Sequence, residues 1–137
     1  MGQRGNFIDI PTDCPLKDER LGWTADTQVF VNTAYFLIDS YNFYKKYMND
    51  LRGDQTMYYN WNIPMFSPSF KKTGKEGAVW ADAGIIIPWN IYMNYGDKTL
   101  LENNYPMMKD YVESLTKRDL EQGDKNLILG GFFMGIG

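Results

Sequence analysis

TADTQVFVNTAYFLIDSYNFYKKYMNDLRG, residues 24–53, is the stretch whose reading decides the fold. Phe30, Ala34, Leu37, Ile38, Tyr41, Tyr44, Met48 and Leu51 recur at steps of three and four, which puts them along one side of an α-helix. The spacing predicts a single helix of about seven turns. Thr24 opens it, with a hydroxyl placed to cap free backbone N–H groups, and Gly53 closes it.

Outward from this helix the pattern stays helical. Residues 54–77 are rich in Tyr, Pro, Ser, Gly and Lys and read as a long loop, of a kind more often functional than idle. A second helix is expected from near Ala81, with Ile85, Trp89 and Tyr92 on one face. Pro88 either kinks it or marks its true start. Gly96 and Asp97 close that segment and cap the next. Leu101, Tyr105, Met108, Val112 and Leu115 predict a third apolar face, with Pro106 dividing the element into a short helix and a longer one. Residues 127–137, LILGGFFMGIG, are apolar and glycine-rich without a period and read as a tail that has lost its partner. The order loop, helix, loop, helix, helix is all-α. Apolar helix faces must be buried against one another; a small bundle does this, and an α/α toroid suits the long loops better.

Composition narrows the chemistry. With 44% hydrophobic and 23% charged residues, the 137-residue chain has the make-up and size of one globular domain. No apolar run approaches the roughly 20 residues that span a bilayer, so no membrane partner is expected. The opening MGQRGNF lacks the apolar core of a secretory signal. A parent protein could carry such a signal upstream, so the compartment is not legible. A net charge of −3 argues against a nucleic-acid partner, whose phosphates require a clustered basic face. Lys45 and Lys46, and Lys71, Lys72 and Lys75, read as solvated surface. With no histidine, imidazole triads and imidazole metal sites are excluded within the chain. Cys14 stands alone, without a thiol partner or a histidine base. No metal or cofactor is expected. Carboxylates remain for acid–base work, with Tyr and Lys as minor candidates. The 16% aromatic content serves a core or a carbohydrate pocket equally well.

Ahead of the first helix, Gly2 to Gly22 read as an extended segment and a loop, and GNFIDIPTDCPLKDERLGWTAD, residues 5–26, runs from there into the first helical turn. Asp9, Asp13, Asp18, Glu19 and Asp26 crowd it around Trp23. Like charges this close cannot all ionise cheaply, so at least one pKa should be pushed upward. A neutral acid near a carboxylate that stays charged is what cleavage of a glycosidic bond requires. Asp26, in the first helical turn, is the one the helix dipole would hold ionised. The alternative is a solvated acidic loop paired with Arg4, Lys17 and Arg20.

The run Asp13-Cys-Pro, then Asp18-Glu-Arg-Leu-Gly-Trp23 and Asp26, resembles nearly letter for letter the signature of the α-L-rhamnosidase glycoside hydrolases. Weaker similarity continues through Trp80-Ala-Asp82-Ala, Ile87-Pro-Trp with Tyr92, Tyr95-Gly-Asp97 and Leu101-Glu-Asn-Asn-Tyr-Pro106, so that it covers about residues 3–118. The resemblance implies a six-hairpin (α/α)6 barrel that releases terminal L-rhamnose from rhamnosides by direct attack of water, with inversion. Carried over by position, Glu19 resembles the general acid that protonates the leaving oxygen. Asp13 and Asp26 resemble carboxylates that hydrogen-bond rhamnose hydroxyls, and Trp23 resembles a pocket-wall ring. Trp80 and Asp82 resemble further pocket residues, with helix packing and capping as the alternative for both.

Two departures accompany the resemblance. The family's general base is a second glutamate far beyond this segment, and an inverting pair needs carboxyls about 6.5–9.5 Å apart with water between them. Where the family has a Gly-Asp-Trp-like turn, this chain reads Gly131-Phe-Phe-Met-Gly135. Residues 1–137 are thus expected to be a partial catalytic domain, truncated at both ends and silent alone. Two other readings stand beside this one. One is a non-catalytic helical module that binds sugar or serves structure; the other is a different six-hairpin hydrolase, of glucoamylase-like or trehalase-like type. The partners expected are L-rhamnose-containing glycosides, and uncovered apolar helix faces leave room for self-association.

Overall fold

The computed structural model of the protein describes Phe7 and residues 9–12, 21–69 and 77–121. Among these residues the architecture is all-α. Five helices follow in order: α1 (Thr24–Leu37), α2 (Tyr41–Met57), α3 (Ala78–Ala81), α4 (Ala83–Tyr95) and α5 (Lys98–Glu121). The described residues hold two isolated β-bridges, Phe7 with Pro11 and Trp23 with Phe66. No described helix is long and apolar enough to cross a membrane.

The expected seven-turn helix is two helices. Ile38 turns extended, at φ −150° and ψ 158°. The backbone N–H of Ser40 then donates to the Tyr95 hydroxyl at 3.1 Å, and that hydroxyl donates to Asp39 Oδ1 at 3.1 Å. Side chains thus satisfy polar groups at the break, where a continuous helix would have used its own ladder. The apolar period survives because Ala34, Tyr44, Met48 and Leu51 all enter the same core, whereas Leu37 stays exposed. Nor does Gly53 end the second helix, which runs on to Met57.

Neither proline marks a helix boundary. Pro88 lies inside α4 and Pro106 inside a continuous α5, and the interruption falls at Asp82 instead. A proline in a helix forfeits one backbone hydrogen bond, and at Pro88 it is offset by burial of the ring within the helix packing. The expected junction does hold: Gly96 is left-handed at φ 68° and donates to Tyr92 O, and Asp97 Oδ1 accepts the Thr99 N–H at 2.8 Å. A hydrogen bond from the Tyr41 hydroxyl, joined by those helix N–H groups, holds the Asp97 carboxyl below its ordinary range.

The faces of α4 and α5 differ from their sequence reading for a single reason. α4 buries Ala83, Gly84, Ile87, Pro88 and Ile91, while Trp89 is 51% exposed. α5 buries Leu100, Asn104, Met107 and Tyr111, one residue back from the expected stripe. A shift of one residue rotates the face by about 100°. The expected stripe is a second apolar face, left open at Tyr105 (62%) and Val112 (48%).

α4 sits at the centre and packs against all four other helices. Its Gly84 admits Ile63 from the loop after α2, because a Cβ there would lie 2.0 Å from Ile63 Cδ1. That loop turns through Asn60 and Trp61, both left-handed, at φ 53° and 71°. Such conformations cost about 1–3 kcal/mol each. Gln55 offsets this by giving its side-chain N–H to Trp61 O at 2.8 Å and its carbonyl to Trp61 N–H at 3.2 Å.

Two glycine substitutions separate these constraints. Gly84→Ala should lower stability by about 1–3 kcal/mol, because fully buried Ile63 has little room to turn away. Gly53→Ala, where a Cβ would meet nothing within 4 Å, should raise it by about 0.5–1 kcal/mol. Urea-denaturation midpoints measure both, and equal shifts of the same sign would contradict the packing described.

Candidate functional site

The entry to α1 is built by pairing two distant stretches of chain. Ser67 N–H donates to Gly22 O at 3.0 Å, and Thr24 N–H donates to Met65 O at 2.9 Å. Trp23 meets Phe66 edge to face, with ring centroids 5.7 Å apart. Gly22 is required here, since a Cβ would stand 2.4 Å from the Ser67 carbonyl oxygen. Thr24 does not cap the helix. Trp23 occupies the cap position without a side-chain bond, and the Thr24 hydroxyl donates instead to Met65 O at 2.9 Å, with Pro64 O at 3.2 Å.

α2 holds this junction from beneath. The fully buried Tyr47 donates its hydroxyl to Gly22 O at 3.1 Å, and burial pushes its phenol pKa up. In the last turn of α2, Asp54 is only 5% exposed. Its Oδ2 accepts the Ser67 hydroxyl at 2.6 Å and the Ser69 N–H at 2.9 Å. Burial nonetheless outweighs these bonds and raises the Asp54 pKa above the usual carboxylate value.

α2 also anchors the other flank of the acidic motif. Phe7 stacks on Phe43 at 4.2 Å and meets Tyr44 edge-on at 5.8 Å. Lys46 pairs with Asp9 at 3.2 Å and with Asp50 at 2.8 Å. Asp13 and Glu19, with Cys14, Asp18 and Arg20, lie outside the described residues between these two anchored flanks.

Of the remaining sequence candidates, Trp23 and Asp26 stand together at the start of α1. Trp23 is half-buried, and Asp26 is exposed in the first turn. Trp23 is the extended cap residue and Asp26 lies in the first turn, so a ring and a carboxylate both belong to the entry to α1. Such a pair can stack on the C–H face of a sugar and accept from its hydroxyls. Gln28 ties α1 to α3 by donating to Val79 O at 2.8 Å, which brings the Trp80 segment alongside. Trp80 packs on Gly77, whose Cβ would stand 3.0 Å from the ring. Asp82 accepts the Tyr111 hydroxyl at 3.2 Å, and its backbone carbonyl accepts the N–H groups of Ile85 and Ile86 at 2.9 Å. Trp80 is thus engaged in packing, and the Asp82 side chain bonds Tyr111 and makes no cap bond to α4.

Sequence reasoning missed Asp54, Tyr47, Phe66 and Ser67. The unusual length of the loop expected over residues 54–77 was the signal that pointed toward Asp54, Phe66 and Ser67, and nothing in the sequence marked Tyr47. Which of its residues would reach the helix start was not readable from spacing.

Helical hairpins bearing an acidic, aromatic loop are the class of the six-hairpin glycosidases, and comparison with known proteins agrees. Residues 1–132 match the model of the bacterial alpha-L-rhamnosidase six-hairpin glycosidase domain, and the chain belongs to that family. An alpha-L-rhamnosidase of Formosa agariphila is 50% identical over 111 residues, which are 81% of this chain and 12% of that protein. One from Alteromonas sp. is 42% identical, with the same coverage. The crystal structure of Streptomyces avermitilis alpha-L-rhamnosidase complexed with L-rhamnose is 40% identical, with a TM-score of 0.79 over 85% of this chain and 11% of that one. The native enzyme of Aspergillus terreus is also 40% identical, with a TM-score of 0.76 over 80% of this chain and 13% of that one. The chain thus spans about an eighth of the length of these relatives.

The raised Asp54 pKa fixes the sign of a pH effect. The folded state binds this proton more tightly than the unfolded chain does. Asp54 therefore contributes stability that is full below its unfolded pKa of about 3.9 and is lost as pH rises through the folded value. Relative to Asp54→Asn, the unfolding midpoint of the wild type should decline as pH rises above about 4. A wild-type advantage that grows with pH would mean that the bonds from Ser67 and Ser69 outweigh burial.

Proposed function

We propose that this chain is part of an inverting glycoside hydrolase that releases terminal α-L-rhamnose from rhamnosides. The observation that carries the reading is the acidic run from Asp13 to Asp26 within residues 1–132, which match the bacterial alpha-L-rhamnosidase six-hairpin glycosidase domain. In this reading Glu19 is the general acid. Asp13 and Asp26 accept hydrogen bonds from the sugar hydroxyls, and Trp23 forms a wall of the pocket. Trp80 and Asp82 complete that side, beyond their packing roles. Neighbouring carboxylates disfavour ionisation of Glu19 and keep it protonated for transfer to the leaving oxygen. The general base comes from chain beyond this segment, where it activates water on the opposite face of the sugar.

For residues 1–137 taken alone, a non-catalytic role is favoured by the open apolar surface. Val29 is 78% and Phe36 91% exposed. In the parent protein other helices of the barrel cover such residues; without them the faces drive self-association. Circular dichroism of the purified chain should be helical, and sedimentation should show association; a stable monomer would contradict this account. The chain alone should not turn over an aryl α-L-rhamnoside at a useful rate, since a general base contributes about 10²–10⁴-fold.

The acid role is tested in the full-length enzyme by Glu19→Gln on two substrates. A natural rhamnoside, whose poor leaving group needs protonation, should lose several orders of magnitude in turnover. A rhamnoside with a very acidic phenol should be hurt far less. Equal losses on both would leave Glu19 as a binding residue.

A further inference from the structure

We infer that Asp54 is a positioning residue for the sugar pocket: its buried carboxylate fixes the turn at residues 67–69 and, through Ser67, the backbone of Gly22 beside Trp23. The inference rests on the functional reading above and extends it to a residue outside the acidic motif.

Asp54 serves one turn of chain. Its Oδ2 takes the Ser67 hydroxyl at 2.6 Å and the Ser69 N–H at 2.9 Å. Ser67 in turn gives its backbone N–H to Gly22 O at 3.0 Å. A second hydroxyl contact steadies the same turn, with Tyr59 Oη 3.3 Å from Ser69 Oγ. The two chains touch so closely at Gly22 that a Cβ would overlap the Ser67 carbonyl oxygen, at 2.4 Å. Displacement of the turn therefore displaces Gly22, and Phe66 between them carries the edge of the Trp23 ring.

Stability alone does not call for an acid here. Burying a carboxylate is costly, and apolar residues of similar size often serve a fold better. α2 already fills the core with Tyr44, Tyr47, Met48 and Leu51. What a carboxylate adds is direction. One oxygen accepts two donors from one turn, a geometry that no apolar side chain reproduces. Asp54 thus sets the orientation of the segment that ends the acidic motif and begins α1.

A residue that orients the pocket affects all substrates alike, because no proton passes through it. The test uses the full-length enzyme with Asp54→Ala, which removes the acceptor oxygen, Ser67→Ala and the double variant. KM for a rhamnoside and the dissociation constant of free L-rhamnose should each rise about 10- to 100-fold. The factor should be the same for natural and acidic-phenol rhamnosides, unlike that of Glu19→Gln. The double variant should be no worse than the poorer single, since both break one linkage. A purely structural role would instead lower kcat with the loss of folded enzyme and leave KM unchanged. That result, or additive effects of the two substitutions, would overturn the inference. Should Asp54→Ala fail to fold, Ser67→Ala, which removes a single hydroxyl, carries the same expectation and the same refutation. Wild-type enzyme that does not bind L-rhamnose would overturn the pocket reading itself. Wild-type binding with unchanged variants would overturn only the role of Asp54.

Discussion

The close approach of Ile63 to Gly84 is the contact from which the rest of the arrangement follows. α4 meets every other helix, so whatever lies against its small-residue face is held from several sides. A side chain at Gly84 would occupy the place of Ile63 Cδ1, so this glycine is what lets the loop after α2 seat Ile63 against α4. Once Ile63 is seated there, Pro64 and Met65 follow at once, and both place carbonyls against Thr24. The start of α1 is thus located by a packing contact made forty residues further along the chain. Interiors are close-packed, and a shift at one point is felt at the next.

α2 converts this packing into a platform. Its buried tyrosines differ in purpose. Tyr44 supplies ring area to the aromatic cluster with Phe7 and Tyr35, whereas Tyr47 brings a donor to a backbone carbonyl that would otherwise rest on Ser67 alone. A buried phenol with a partner for its hydroxyl gives both apolar area and direction. Lys46 works from the exposed side of the same helix by reaching Asp9. Both flanks of the acidic motif therefore refer to one rigid element, and loops carry function best when such a scaffold positions them.

Electrostatics reinforce this division. Asp97 and Asp54 both accept hydrogen bonds that favour their charged forms, yet their pKa values move in opposite directions. Asp97 is held low by Tyr41 and by the N–H groups at the start of α5. At Asp54 removal from water dominates, and its pKa rises. The exposed group caps a helix; the buried one holds a turn. At Asp97 the hydrogen bonds dominate, and at Asp54 the loss of water does.

The amino-acid sequence by itself determined the helical class, the acidic motif and its likeness to rhamnosidases, because local periodicity and a contiguous run of residues are both properties of the chain read in order. Gly96 and Asp97 were legible for the same reason, since a left-handed glycine and a capping carboxylate act within a few residues. Tertiary structure alone decided which stripe of α5 is buried, because two adjacent apolar stripes have the same period and only the position of α4 chooses between them. It decided the break at residues 38–40, where Tyr95 captures a backbone N–H from fifty-five residues away. It also brought Asp54 and Ser67 to Gly22. Hydrogen bonds between such separated residues leave no periodic trace in sequence, since their geometry exists only once the helices have packed.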